Sequence, residues 1–229
     1  MKIILLIFIL ILLFLNCLKL KERFSNEIPN FNLYDTNNKL IESKNWEFKE
    51  QELLQQYLKK GDRILQLGGN IGTSCIVADK LLNSEKDSVY CVEPNKNIIE
   101  ILEKNKKLNN SNFNIINGIL TETNNNKLDT RHDYPNKASA KISKDGDMEI
   151  NSLSLKNLKI DFNVLFADCE GCLEKFIDEY EDIVKNLRLV IFEMDYKNDC
   201  NYDKIKIILE KHNFEKKFDD NYLCVYVKK

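Results

Sequence analysis

From residue 63 onward the chain alternates short apolar runs with stretches of helical spacing, and the first joint between them is rich in glycine. Residues 63–67 read as a strand, Gly68-Gly69-Asn70-Ile71-Gly72 as a tight turn, and residues 73–82 as a helix. The same alternation continues with strands at 88–93, 113–116, 163–167 and 187–194, and helices at 96–108, 173–186 and 202–212. Short apolar runs alternating with helical segments specify a mostly parallel sheet covered on both faces. Residues 214–218 and 222–227 read as a closing antiparallel hairpin, which a plain dinucleotide-binding fold does not need. Ahead of the first strand, Trp46, Phe48, Leu53, Leu54, Tyr57 and Leu58 fall at helical spacing, and Gly61 ends that segment as a cap.

The composition supports a packed body: 43% of the 229 residues are hydrophobic and 31% charged, with few Pro or Gly. With 34 basic residues against 36 acidic ones the net charge is −2, too weak a field to hold a polyanion, so no nucleic-acid partner is expected. The seven Cys are odd in number and lie in core-like segments without framework spacing, which favours a reducing compartment.

The amino terminus reads as a separate object. Residues 3–18 form an apolar run, with Lys2 before it and Lys19, Lys21 and Arg23 after it. Such a run spans roughly 24 Å against a hydrocarbon core of about 30 Å, which snorkelling lysines and bilayer thinning accommodate. A cleaved signal peptide wants small residues before the cut, and Leu15-Asn16-Cys17 supplies none; Asn16 also fits poorly before a lipidated Cys17. The expectation is therefore a single-pass N-terminal membrane anchor, with a signal peptide or a buried helix as alternatives. The excess of basic residues after the run places the rest of the chain on the cytosolic side. The chain thus divides into an anchor at 1–20, a polar stalk at 21–45 and a folded domain at 46–229.

The glycine turn carries the first chemistry, because it lets a ligand approach backbone atoms at the carboxyl edge of the sheet. A dinucleotide pattern would put its glycines at Gly68, Asn70 and Thr73, a poor match. Gly68, Asn70 and Gly72 are instead similar to the first motif of S-adenosylmethionine-dependent methyltransferases. Glu93 ends the next strand, where a carboxylate can accept both ribose hydroxyls of a nucleoside. A tight strand-to-helix connection and a plain strand-end carboxylate are the structural alternatives. The chain has no Gly-x-x-x-x-Gly-Lys, Gly-x-Ser-x-Gly, His-Glu-x-x-His or Pro-Pro, which removes phosphate-loop, common hydrolase and base-amino methyltransferase readings.

The apolar strand at 163–167 delivers Asp168 and Glu170 to its carboxyl end, facing the same crevice. Here the chain resembles the FkbM family of methyltransferases, whose hallmark is Asp-x-Glu-Gly at this strand end. Asn70-Ile71-Gly72-Thr73-Ser74, Val92-Glu93-Pro94-Asn95, Asn117-Gly118, Asp168-Cys169-Glu170-Gly171 and Val190-Ile191-Phe192-Glu193 follow the family's order across residues 61–227. The resemblance implies a class I, Rossmann-like methyltransferase fold with a mostly parallel seven-stranded sheet and a terminal antiparallel hairpin. It implies S-adenosylmethionine as cofactor, with methyl transfer to a hydroxyl of a glycan, lipid-linked or small-molecule acceptor. Asp168 and Glu170 then stand as bases, and Gln66, Gly68, Asn70, Gly72, Thr73, Glu93, Asn117 and Gly118 as cofactor-binding residues.

The chain departs from the family at Gln66, where an acidic residue helps fix the glycine loop and the cofactor's amino group, and at Leu173, often Glu. These departures motivate a second reading, a membrane-tethered binding module that keeps the fold without catalysis. In related O-methyltransferases an aspartate at this strand end can ligate a divalent cation, but one acidic pair does not make a metal cage, so a divalent metal stands as an alternative that is not favoured. Cys169-x-x-Cys172 has zinc-like or redox-like spacing without a second pair or a nearby His, so small core residues are expected. His132 lies in the polar insertion at 121–146, the segment best placed to form a lid, and is either a mobile base or a solvent-exposed side chain. His212 reads as a helix-end residue, and Lys104, Lys106 and Lys107 as a solvated helix face.

Overall fold

A computed structural model describes residues 30–131 and 140–229. The chain begins with a small hairpin, β1 (Asn32–Tyr34) and β2 (Leu40–Glu42), and enters helix α1 (Phe48–Tyr57). The alternating body follows as β3 (Ile64–Leu67), α2 (Thr73–Leu81), β4 (Val89–Glu93), α3 (Lys96–Leu108) and β5 (Asn114–Asn117). Short strands β6 (Ile119–Leu120), β7 (Lys127–Asp129), β8 (Lys141–Ser143), β9 (Met148–Glu149) and β10 (Ser152–Leu153) lead to a single helical turn, α4 (Leu155–Leu158). The chain closes with β11 (Val164–Ala167), α5 (Leu173–Val184), β12 (Leu189–Glu193), α6 (Tyr202–Lys211), β13 (Phe214–Asp219) and β14 (Leu223–Lys228).

The main sheet has seven strands in the order β13-β14-β12-β11-β3-β4-β5. The five strands β12, β11, β3, β4 and β5 run parallel, and β14 pairs antiparallel with both β12 and β13. The middle of the parallel set is β3, whose residues Leu65 and Leu67 register against Leu165 and Ala167 of β11 and Tyr90 and Val92 of β4. Alternate residues of each strand feed opposite cores, because successive side chains leave a strand on opposite faces. Ile64, Phe166 and Ile191 pack with Leu54 of α1, Ile76 of α2 and Leu102 of α3. Leu65, Ala167 and Phe192 pack with Phe176 and Ile177 of α5 and Ile205 of α6. Phe166 is fully buried, and truncating such a side chain to Ala costs about 3–5 kcal/mol. The predicted sheet and hairpin are therefore present.

The transmembrane part of the sequence expectation is corrected. No helix among the described residues is long and apolar enough to cross a membrane. The longest, α3, has 13 residues, a rise of about 20 Å against a hydrocarbon core of about 30 Å. Residues 3–18, which carry the anchor, the membrane location and the cytosolic orientation in the sequence expectation, lie outside the described residues.

The segment read as a polar stalk contributes to the fold from Phe31 on. Leu33 is fully buried against the first core, and β1 lies along α3. Asn105 of α3, itself buried, accepts the Tyr34 N–H at 2.6 Å and donates to Tyr34 O at 2.9 Å and Ile71 O at 2.8 Å. Lys104, read as part of a solvated face, stands 3.4 Å over the Tyr34 ring and donates to Asn38. The cysteines also differ from the reading of scattered core thiols: Cys75 is bonded to Cys91 and Cys169 to Cys172.

Candidate active site

The glycine turn is held from two sides. The N–H groups of Gly68 and Gly69 donate to Val92 O at 3.0 and 2.9 Å, and Asp168 N–H donates to Leu67 O at 2.9 Å. The strand ends of β4, β3 and β11 are thereby stitched into one edge. Gly68 has φ +84°, and a Cβ there would stand 1.6 Å from the Asp168 carbonyl oxygen, so only glycine allows the two loops to touch. Gly72, with φ +96°, opens α2; a Cβ on it would fall 2.6 Å from Leu102 of α3.

Glu93 stands at the end of β4, 6% exposed. Its carboxylate accepts the backbone N–H of Asn70 at 2.8 Å and of Asn95 at 2.7 Å. Burial raises its pKa, and these backbone donors, with Gly69, oppose that rise. Each carboxylate oxygen has a second lone pair, so the group can still accept ligand hydroxyls. Beside it, the Asn70 side-chain oxygen is buried without a hydrogen-bond partner.

The end of β11 is the opposite case electrostatically. Asp168 is pushed well above the carboxylate range by burial first, then by Glu193 at the end of β12 and by Asp195 and Glu50. Glu193 is itself raised to about 7, by burial and by repulsion from Asp195, Glu50 and Glu170, against the lowering effect of its hydrogen bond with Asp168. The Asp168–Glu193 pair thus holds protons more tightly than two separate carboxylates do. Glu47, ahead of α1, is raised to about 8 by burial and then by Asp168. Its backbone adopts the left-handed region at φ 49°, which costs about 1 kcal/mol or more for a non-glycine residue. Oxygens of Asp168, Glu193 and Asp195 lie within 4.8 Å of one another, an all-oxygen donor set of the kind hard cations prefer.

Both carboxylate groups open onto one cavity of about 500 Å³, whose lining includes Gly68, Asn70, Glu93, Asp168 and Glu193. That volume is within the usual ligand range of about 300–1,000 Å³. Its walls come from distant parts of the chain: Trp46, Glu47 and Glu50 before and in α1, Lys141 and Ile142 of β8, and Tyr222 of the closing hairpin. The insertion folds as an antiparallel sheet, β8-β7-β9, and Lys141 ion-pairs with Asp199 at 2.5 Å, joining it to the segment after β12.

Of the residues expected at the site, Gly68, Asn70, Glu93, Gly118, Asp168 and Glu170 line this cavity. The others lie behind it. Gln66 is 1% exposed; its amide donates to Gly68 O at 3.0 Å, and its oxygen lies 3.1 Å from Cys75 Sγ of the Cys75–Cys91 disulfide, which has no hydrogen to give. Gly72 shapes the helix start, and Thr73 is 1% exposed with its hydroxyl unpartnered. Asn117 braces the β4 end, donating to Glu93 O at 2.9 Å. Leu173 is a core residue of α5, 2% exposed, and His212 ends α6 with its ring against Glu181 at 2.5 Å. His132 lies outside the described residues. Glu47, Glu50 and Asp195 were not expected; Glu193 sat within a quoted motif, and its place at a strand end was the signal that could have found it.

No family model matches the chain, and no curated protein matches it. Solved structures do. Precorrin-6y C5,15-methyltransferase from Geobacter metallireducens is 13% identical, with a TM-score of 0.51 over 80% of this chain and 86% of that one. A SAM-dependent O-methyltransferase from Thermotoga maritima is 13% identical, TM-score 0.49, over 80% of this chain and 65% of that one. Fibrillarin from Aeropyrum pernix, solved with bound S-adenosyl-L-methionine, is 15% identical, TM-score 0.49, over 90% of this chain and 86% of that one. The first of these likenesses extends to the fold: the chain has a Rossmann-like methyltransferase fold. The FkbM resemblance gains no family match.

Proposed function

We propose that the chain is an S-adenosylmethionine-dependent methyltransferase acting on a hydroxyl of a small-molecule or glycan acceptor. The observation that carries this reading is that Glu93 and Asp168, on separate strands, line one cavity together with Gly68 and Asn70. The residues present suit the cofactor. Glu93 offers lone pairs to a sugar diol, the partnerless Asn70 oxygen offers an acceptor, and the acidic wall favours a cationic ligand.

When bound, the cofactor supplies an electrophilic sulfonium methyl. The chain's own task is to align the acceptor, exclude water and remove the hydroxyl proton. Asp168 and Glu193 support proton removal, because a nearby cation favours their charged forms and leaves a carboxylate able to accept a proton near neutral pH. Leu128, Ile142 and Phe176 supply apolar wall that keeps water from the reacting atoms. Glu170, on the same loop with φ 54°, is the second candidate to touch the acceptor.

Calorimetry with S-adenosylhomocysteine tests cofactor binding, and radiolabelled methyl transfer to a panel of hydroxylated acceptors tests the chemistry. Binding without transfer to any acceptor would leave a binding module; absence of binding would overturn the whole reading.

A further inference from the structure

The departure at Gln66 leaves a question of charge, since this buried neutral residue turns its amide N–H to Gly68 O, rests its oxygen against the Cys75–Cys91 disulfide and does not line the cavity. A ligand with an ammonium end therefore finds no carboxylate where the family places one.

Glu47 stands in the cavity wall with Gly68, Asn70 and Asp168. One of its oxygens accepts Trp46 Nε1–H at 2.8 Å and the other accepts the Ser74 hydroxyl at 3.0 Å. Ser74 lies in the first turn of α2, the helix that the glycine turn opens, so this carboxylate is positioned by the cofactor loop itself. Both donors are neutral. The charged groups acting on Glu47 are the acids Asp168 and Glu50, and burial and Asp168 raise it to about 8. A strained backbone thus places a carboxylate among other carboxylates on the wall of an open cavity, an arrangement that a bound cation stabilises.

We propose that Glu47 binds the ammonium group of the cofactor's amino-acid tail, taking over from a different element the task that Gln66 does not perform. The assignment rests on the methyltransferase reading. In that pose the sugar diol meets Glu93 at the end of β4, and the tail runs across Gly68 to the wall formed by Glu47.

Calorimetry on the full chain at neutral pH, with two probes, tests it. S-adenosylhomocysteine carries the tail; methylthioadenosine keeps the nucleoside and thioether but lacks it. Glu47→Gln is expected to weaken S-adenosylhomocysteine about ten- to hundredfold while leaving methylthioadenosine within about twofold. Equal weakening of both probes, or of neither, overturns the assignment while the methyltransferase reading stands. Binding of neither probe by the unaltered chain overturns both. A ligand-side arm covers a variant that folds poorly: N-acetyl-S-adenosylhomocysteine, whose tail nitrogen is uncharged, should bind the unaltered chain about as weakly as Glu47→Gln binds the parent probe. Unchanged affinity for the acetylated probe overturns the proposal.

Discussion

Glu93 and Asp168 both end parallel strands, both line the same cavity, and burial raises the pKa of each, yet they keep different company. Glu93 is met by the backbone N–H groups of Asn70 and Asn95, fixed dipoles that favour its charge and tie β4 to the glycine turn. Asp168 is met by Glu193, Asp195 and Glu50, so its ionised form is opposed from several directions. One arrangement suits a group that must stay charged and still; the other suits a group that exchanges protons or awaits a cation. Position at a strand end does not separate these roles, and the surrounding donors do.

The sharpest way to break this contrast is Asp168→Asn. Turnover should fall about 10²–10⁴-fold while affinity for S-adenosylhomocysteine stays within about threefold, as steady-state kinetics and calorimetry would read it. Should affinity collapse while turnover at saturation persists, the two roles have been assigned the wrong way round. Glu93→Gln should do the reverse, weakening S-adenosylhomocysteine about ten- to hundredfold and lowering the melting temperature, because an amide cannot accept every bond that the carboxylate accepts.

A pH series sharpens the contrast without mutation. Burial and neighbouring carboxylates push Glu193 up to about 7 and Glu47 up to about 8, from the ordinary glutamate value of about 4.5. Between the unfolded and folded values the native state holds more protons than the unfolded one, so stability falls as pH rises through this window. The slope is at most about 1.4 kcal/mol per pH unit for each proton. Melting of the ligand-free chain should therefore occur at higher temperature at pH 5.5 than at pH 8.5, and Asp168→Asn should flatten the trend. A rising trend would show that these carboxylates are already neutralised by something else. The smallest effect is expected at Thr73→Val, where the hydroxyl is buried and partnerless: stability should change by less than about 1 kcal/mol and cofactor affinity by less than about twofold.

The sheet was legible because each parallel strand is a short, mostly apolar run closed by a polar or glycine residue at its carboxyl end. The cavity's floor was legible for the same reason, since Gly68, Glu93 and Asp168 follow directly from where strands stop. Its walls were not. Trp46 and Glu47 reach the site only through the packing of α1 against α2, and no local pattern announces a contact across that distance. The hairpin at 32–42 was hidden by its Asn-rich sequence, because its single fully buried strand residue, Leu33, leaves no alternation to read. Gln66 and Thr73 were assigned to the cofactor by motif, and tertiary packing turned both away from the cavity.

The Asn105 side chain gives the molecule a shared fastening. A single amide on α3 serves the edge of the opening hairpin through Tyr34 and the glycine turn through Ile71. Removing it strands polar groups in two places at once, so Asn105→Ala should speed amide hydrogen exchange at the hairpin and around the turn together. The first strand, far from the chemistry in sequence, thereby becomes one of the supports on which the ligand loop keeps its shape.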